Sequence, residues 1–219
     1  MPTNYRLEIK MKNYNNGYYF ITFKESDQRP ILGPDEDTDA LRFETQDVTS
    51  GFRRPLFFIN SAALVYEKAK FHHTPSDILF CGSDVIIESK IYEKLIEIAI
   101  PNLILQPCVY VDEKDIWHEN YWYMTFTEKF DCWDRAKSRY DPDPIELNGK
   151  NFYSITHYQL DEDLLQKIEL KNRLLFRMDA DLSGHIVVHK SIAPFFRTNN
   201  IKDAELVPIK DYGVNFFHH

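Results

Sequence analysis

The amino-acid sequence predicts an α+β fold: mostly antiparallel sheet with a few short helices and an N-terminal hairpin. Three observations carry that expectation. Apolar and polar residues alternate with a period of two near the start, aromatic and β-branched runs recur along the chain, and the clearest helical period is confined to residues 89–99. The composition agrees, since 16 Phe, 13 Tyr and 3 Trp against only 7 Gly suit sheets with well-filled faces. With 219 residues and 43% hydrophobic content, the chain can bury a sizeable core without disulfides or metals.

Tyr5, Leu7, Ile9 and Met11 alternate with Arg6, Glu8, Lys10 and Lys12, the pattern of a half-buried strand. Asn15, Asn16 and Gly17 offer a turn with positive φ, and residues 18–23 read as the returning strand. Residues 25–47 lose the apolar pattern and contain Pro30, Gly33, Pro34 and the run Asp35, Glu36, Asp37, Thr38, Asp39, which predicts a long acidic loop or linker. The expected organisation is a hairpin and acidic loop over residues 1–50 and an α+β domain over 51–219, or one continuous domain.

Residues 55–59 resume a buried strand, 62–70 suit a helix and 78–80 are a short apolar run. Ser89 is placed to cap a helix whose Ile91, Tyr92, Leu95, Ile98 and Ala99 share one face, and Pro101 stops it. Residues 103–111 and 121–126 read as strands joined by a loop carrying Trp117 among Asp112, Glu113, Asp115 and Glu119. Beyond Asp141, Pro142, Asp143, Pro144 and the Asn148-Gly149 turn come a strand at 151–158 and a short helix at 161–168 begun by acidic residues. A strand pair at 174–177 and 186–188, a helix at 191–198 and a last strand at 205–209 complete the expectation.

Charge and motifs exclude several function classes. Twenty-six basic against 34 acidic side chains give −8, with no basic run interleaved with aromatics, so nucleic acid is not an expected partner. Residues 61–120 hold 5 basic and 10 acidic side chains, and an acidic surface attracts basic partners or keeps a chain soluble. No apolar leader or membrane-length apolar segment is seen, which predicts a cytoplasmic protein without a membrane partner. Cys81, Cys108 and Cys132 fit reduced thiols better than a disulfide framework.

The run from Asp179 through Asp181 and Ser183 to Gly184 follows the start of a calcium loop, but Lys190 stands where the bidentate carboxylate belongs, so a polar turn is expected. The pairs His72-His73 and His185/His189 lack further ligands at matched spacing, and neither metal nor cofactor is predicted. Cys132 beside Asp131, with His157 downstream, is the one loose candidate for nucleophilic chemistry.

Several pieces recur in a telling order: Ser76-Asp77-Ile78-Leu79, the helix from Ser89, Pro107 to Val111, Tyr121-Trp122-Tyr123, Asp131-Cys132-Trp133-Asp134, Ser138, Leu175-Phe176-Arg177, Ile186-Val187-Val188 and a strand at 204–208. Over residues 50–212 this order resembles a bacterial immunity-protein family, the eleventh type of polymorphic toxin systems and formerly a domain of unknown function. Residues 1–50 have no counterpart, and Lys190 replaces an expected small or acidic residue. The resemblance implies a small cytosolic α+β protein that binds a cognate toxin and blocks it by occlusion, catalysing nothing. A basic toxin, such as a nuclease, suits the −8 charge.

Under that resemblance the shared Asp131, Asp134, Ser138 and Arg177 hold the fold, with Arg177 expected in a buried charge pair with Asp131 or Asp134. Partner choice falls to residues 35–39, 112–119 and 141–149, with Trp117 as the aromatic anchor. Two other readings of the same residues are a scaffold or regulatory binding module, and a hydrolytic enzyme using Cys132 and His157.

Overall fold

The computed structural model describes residues 14–24, 29–41, 54–71 and 73–213. In chain order the elements begin with β1 (Tyr18–Phe23), β2 (Leu32–Pro34), α1 (Glu36–Leu41), β3 (Leu56–Asn60) and α2 (Ala63–Ala69). Then follow β4 (Ile78–Cys81), β5 (Asp84–Glu88), α3 (Ser89–Ile98), β6 (Leu103–Val111) and β7 (Trp117–Phe126). Short strands β8 (Lys129–Phe130), β9 (Arg139–Tyr140), β10 (Ile145–Leu147), β11 (Lys150–Phe152) and β12 (Ile155–His157) lead to α4 (Glu162–Lys167). The chain returns through β13 (Leu175–Met178), β14 (Ile186–His189) and β15 (Ala204–Pro208).

Two sheets organise these elements, one ordered β15-β1-β14-β13-β8 and one ordered β2-β3-β6-β7-β5-β4. Among the described residues the β3–β6 and β13–β8 strand pairings are parallel and the other strand pairings antiparallel, so the fold is α+β with mostly antiparallel sheet. In the six-stranded sheet the edge strands β2 and β4 lie against each other, which curls the sheet round its own inner face. That inner face is filled by Leu56, Phe58, Ile86, Cys108, Tyr110, Tyr121 and Tyr123.

The alternate residues point outward. Ile78, Val85, Ile87 and Met124 meet Ile21, Ile186 and Val188 of the five-stranded sheet, with Ile91 and Leu95 of α3 closing one side. On the far face of the five-stranded sheet, Phe20, Phe176 and Val187 pack against Trp133, Tyr158, Leu160 and Leu165. Each large apolar side chain so buried contributes roughly 1.5–3 kcal/mol, and three such cores hold the chain.

Local chemistry explains the departures from the sequence expectations. The strand expected at residues 5–11 lies outside the described residues. Its expected partner, β1, is an interior strand with β14 on one edge and β15 on the other, instead of the returning arm of a hairpin. Residues 14–17 form a 3-10 turn in which buried Asn15 donates to the carbonyl of Tyr158 at 3.1 Å and accepts from the N–H of Leu160 at 2.9 Å. β1 thus belongs to one sheet and β2 to the other.

The acidic stretch is not all loop, because β2 and α1 form within it. Glu88, not Ser89, caps α3, its carboxylate accepting from the N–H of Lys90 at 2.9 Å. The strand expected over 151–158 is divided into β11 and β12, and the helix over 191–198 shrinks to a 3-10 turn at Ala193–Phe196 with Pro194 inside it. Asp161 caps α4 by accepting from Leu164 N–H at 2.9 Å, as its acidic start foretold. No helix among the described residues is long and apolar enough to cross a membrane.

Candidate protein-binding face

Because Leu56, Phe58 and Asn60 of β3 point into the curled sheet, Phe57 and Ile59 point out. The register sets Ile59 opposite Val111, and Val111 opposite Trp117. These three residues form an apolar row across β3, β6 and β7. Trp117 is 58% exposed, and its ring meets Phe57 edge-on with centroids 5.6 Å apart. Sequence reasoning set Trp117 inside a loop; it is the first residue of β7, and the connection is shortened to residues 112–116.

Asp112 shapes that connection. Its carboxylate accepts from the N–H groups of Lys114 at 2.8 Å and Ile116 at 3.0 Å, and pairs with His118 Nε2 at 3.0 Å. Burial works to raise the Asp112 carboxyl, but these hydrogen bonds outweigh it and hold the group below the usual carboxylate range. Glu113 turns inward, one oxygen accepting from the N–H of His73 at 3.1 Å while the other is buried without a partner. Of the loop candidates, Asp112 and Glu113 are therefore spent on the scaffold, while Asp115, Trp117 and Glu119 are exposed.

The second acidic segment arrives at the same place. The N–H of Asp35 donates to the carbonyl of Phe57 at 3.1 Å, and the N–H of Phe57 donates to the hydroxyl of buried Thr38 at 2.7 Å. Asp35 in turn accepts from the N–H of Thr38 at 2.7 Å, opening α1 and leaving Glu36, Asp37 and Asp39 exposed. Residues 35–39 and 112–119 are thus brought together around Phe57 and Trp117. Residues 141–149 are not.

That third segment projects at the other end of the molecule as the hairpin β10–β11, with Asn148 at φ 52° and Gly149 at φ 74° in its turn. Lys150 anchors it to Asp179, whose turn abuts Ser83 at the start of β5. The ten residues of β7 separate this end from Trp117 by roughly 30 Å.

Arg177 corrects another expectation. Its partner is Asp84 of the other sheet, at 2.7 Å, so it joins the two sheets instead of reaching Asp131 or Asp134. Asp131 pairs with Arg135, and Asp134 pairs with Lys137 at 2.7 Å. The Ser138 hydroxyl accepts from the N–H of Gln159 at 3.0 Å, tying the segment before β9 to the one before α4.

The enzyme reading finds little support in the thiol. Cys132 is fully buried and its pKa is pushed up by that burial, which disfavours the reactive thiolate. His157 lies 3.3 Å from the amide of Gln159. A constellation that the sequence did not reveal sits instead beside a cleft of about 760 Å³ lined in part by Phe23, Phe80, Ser183 and Tyr212. There Asp181 pairs with His185 Nδ1 at 2.7 Å, His185 Nε2 meets the Tyr212 hydroxyl at 3.0 Å, and the Tyr158 hydroxyl donates to Asp181 at 2.9 Å. Tyr158 and Tyr212 each lie 27 positions from His185, so no local spacing signals the cluster.

Asp181 also accepts from the N–H groups of Ser183 and His185, and Gly184 takes φ 61° in the turn that precedes β14. Among the described residues no group of three His, Cys, Asp or Glu side chains is arranged to hold a metal. No protein-family model matches the chain, and no curated protein matches it.

Proposed function

We propose that this chain is a cytoplasmic immunity protein that binds a cognate toxin and neutralises it by occlusion. One observation carries the proposal: two acidic segments far apart in sequence, 35–39 and 112–119, converge on an aromatic pair, the half-buried Phe57 and the exposed Trp117. An apolar centre with an acidic rim suits a basic protein partner, the rim steering encounter and the centre setting residence time. The resemblance of residues 50–212 to the immunity family supplies the biological class, and this face supplies a place for the toxin to sit.

Co-expression with the product of the adjacent reading frame tests the reading. The chain should relieve that product's toxicity, and association measured at two salt concentrations should slow as salt rises. Replacing Trp117 by Ala should weaken the complex by roughly 2 kcal/mol or more. A neighbour that is harmless, or one that stays toxic in the presence of this chain, would sink it.

A further inference from the structure

The way this chain covers its own aromatic rings says what the partner must bring to Trp117. The guanidinium of Arg135 lies 4.0 Å from the ring centroid of Trp133, held there by the carboxylate of Asp131, whose Oδ2 is 2.7 Å from Nη2. Arg29 lies over Phe23 at 4.1 Å, Arg173 over Tyr14 at 5.2 Å and Arg197 over Tyr19 at 5.3 Å. Trp122 stacks on Tyr92, with centroids 3.6 Å apart and planes 6° from parallel. Trp117 is the exception. Phe57 touches it edge-on, and among the described residues no Arg or Lys lies over its ring.

Trp117, like Trp133, has acidic residues close to it in sequence. Exposed carboxylates, Asp115 and Glu119, stand two positions to either side in the sequence, and α1 adds Glu36 and Asp37 beside Phe57. Carboxylate and indole are present without the guanidinium that joins them at Trp133. We propose that the partner supplies it: an arginine side chain of the bound protein lies on the Trp117 ring and pairs with the Asp115 and Glu119 carboxylates. Arginine fits better than lysine because its planar guanidinium stacks on a ring while its edge still offers paired N–H donors to a carboxylate. The inference rests on the reading of this face as the toxin-binding surface, and names the chemistry at its centre.

Acetylated hexaarginine and hexalysine test it without the toxin, using the whole chain labelled with nitrogen-15. Hexaarginine should move the Trp117 indole N–H resonance and bind about fivefold more tightly than hexalysine, the effect of a cation–π contact at an exposed site. Trp117→Leu should erase that preference, and the double variant Asp115→Asn, Glu119→Gln should weaken both peptides. Equal binding of the two peptides would overturn the proposal. So would arginine-induced shifts that leave the Trp117 indole unmoved. A harmless genomic neighbour, by contrast, removes the toxin reading and leaves the peptide contrast as an independent result.

Discussion

Two carboxylate–histidine pairs of similar geometry lie just before β14 and just before β15, the strands that flank β1: Asp181–His185 at 2.7 Å and Asp203–His73 at 2.8 Å. Both are buried, yet their surroundings differ. Asp181 also accepts from the Tyr158 hydroxyl and from the N–H groups of Ser183 and His185, and the far nitrogen of His185 meets Tyr212. Around Asp203–His73, three buried polar atoms have no partner among the described residues: His73 Nδ1, Glu113 Oε2 and the Tyr110 hydroxyl. Burial, and then the charge of Glu113, push the Tyr110 phenol well above its ordinary range. An unpartnered buried polar atom costs about 1–3 kcal/mol. The same pair of residue types is therefore a fully bonded rivet before β14 and part of an incompletely satisfied support beneath the proposed binding loop before β15, where local stability is expected to be lower.

Removing each carboxylate should break that comparison in opposite directions. Asp181→Ala removes from the interior the acceptor shared by the Tyr158 hydroxyl, His185 and two backbone N–H groups, and should cost about 3–5 kcal/mol in denaturant unfolding. Acid should reveal the same rivet. Burial tends to raise the Asp181 carboxyl, but the bonds from His185 and Tyr158 prevail and hold it below its ordinary value. A depressed carboxyl contributes stability that is present above the unfolded value of about 4 and is lost as pH falls through the folded one. The melting temperature should therefore fall on acidification below about pH 4, and fall less steeply in Asp181→Ala; parallel slopes would argue against the rivet.

Glu113→Gln should act the other way. The amide keeps an acceptor for the His73 N–H, removes a buried charge and offers a donor where the carboxylate oxygen has no partner, so stability should rise by about 1 kcal/mol. A loss of that size instead would mean that the charge is needed where it stands. The smallest effect is expected at Trp117, where replacement by Ala should change stability by about 0.5 kcal/mol or less, because the side chain belongs to none of the three cores. Trp133→Ala, at a site 1% exposed, should cost about 3–5 kcal/mol in the same assay.

Much of the scaffold was legible because its signals are local. The runs that became β3, β6, β13, β14 and β15 are rich in β-branched and aromatic residues, α3 carries a helical period and α4 an acidic start. α1 was not legible, since six residues that open Glu36, Asp37, Thr38, Asp39 show no apolar period; it is held by Thr38 reaching the N–H of Phe57. The two- and three-residue strands β8, β9 and β12 are set by their partners, not by propensity. The candidate site was half legible. Trp117 and both acidic segments stand out in sequence, but their meeting at Phe57, the inward turn of Glu113 and the pairing of Arg177 with Asp84 depend on contacts across many tens of positions.

The curl of the six-stranded sheet has a bearing on how such a protein changes over generations. With β2 against β4, the two edges of that sheet lie together, and the proposed face is made of outward-pointing side chains on its interior strands. Asp115, Ile116, Trp117 and Glu119 lie outside every core cluster, and replacing any of them disturbs no register and opens no internal void. Under the proposed function, lineages can exchange these letters one at a time, following a drifting toxin while the barrel-like frame beneath them is inherited unchanged.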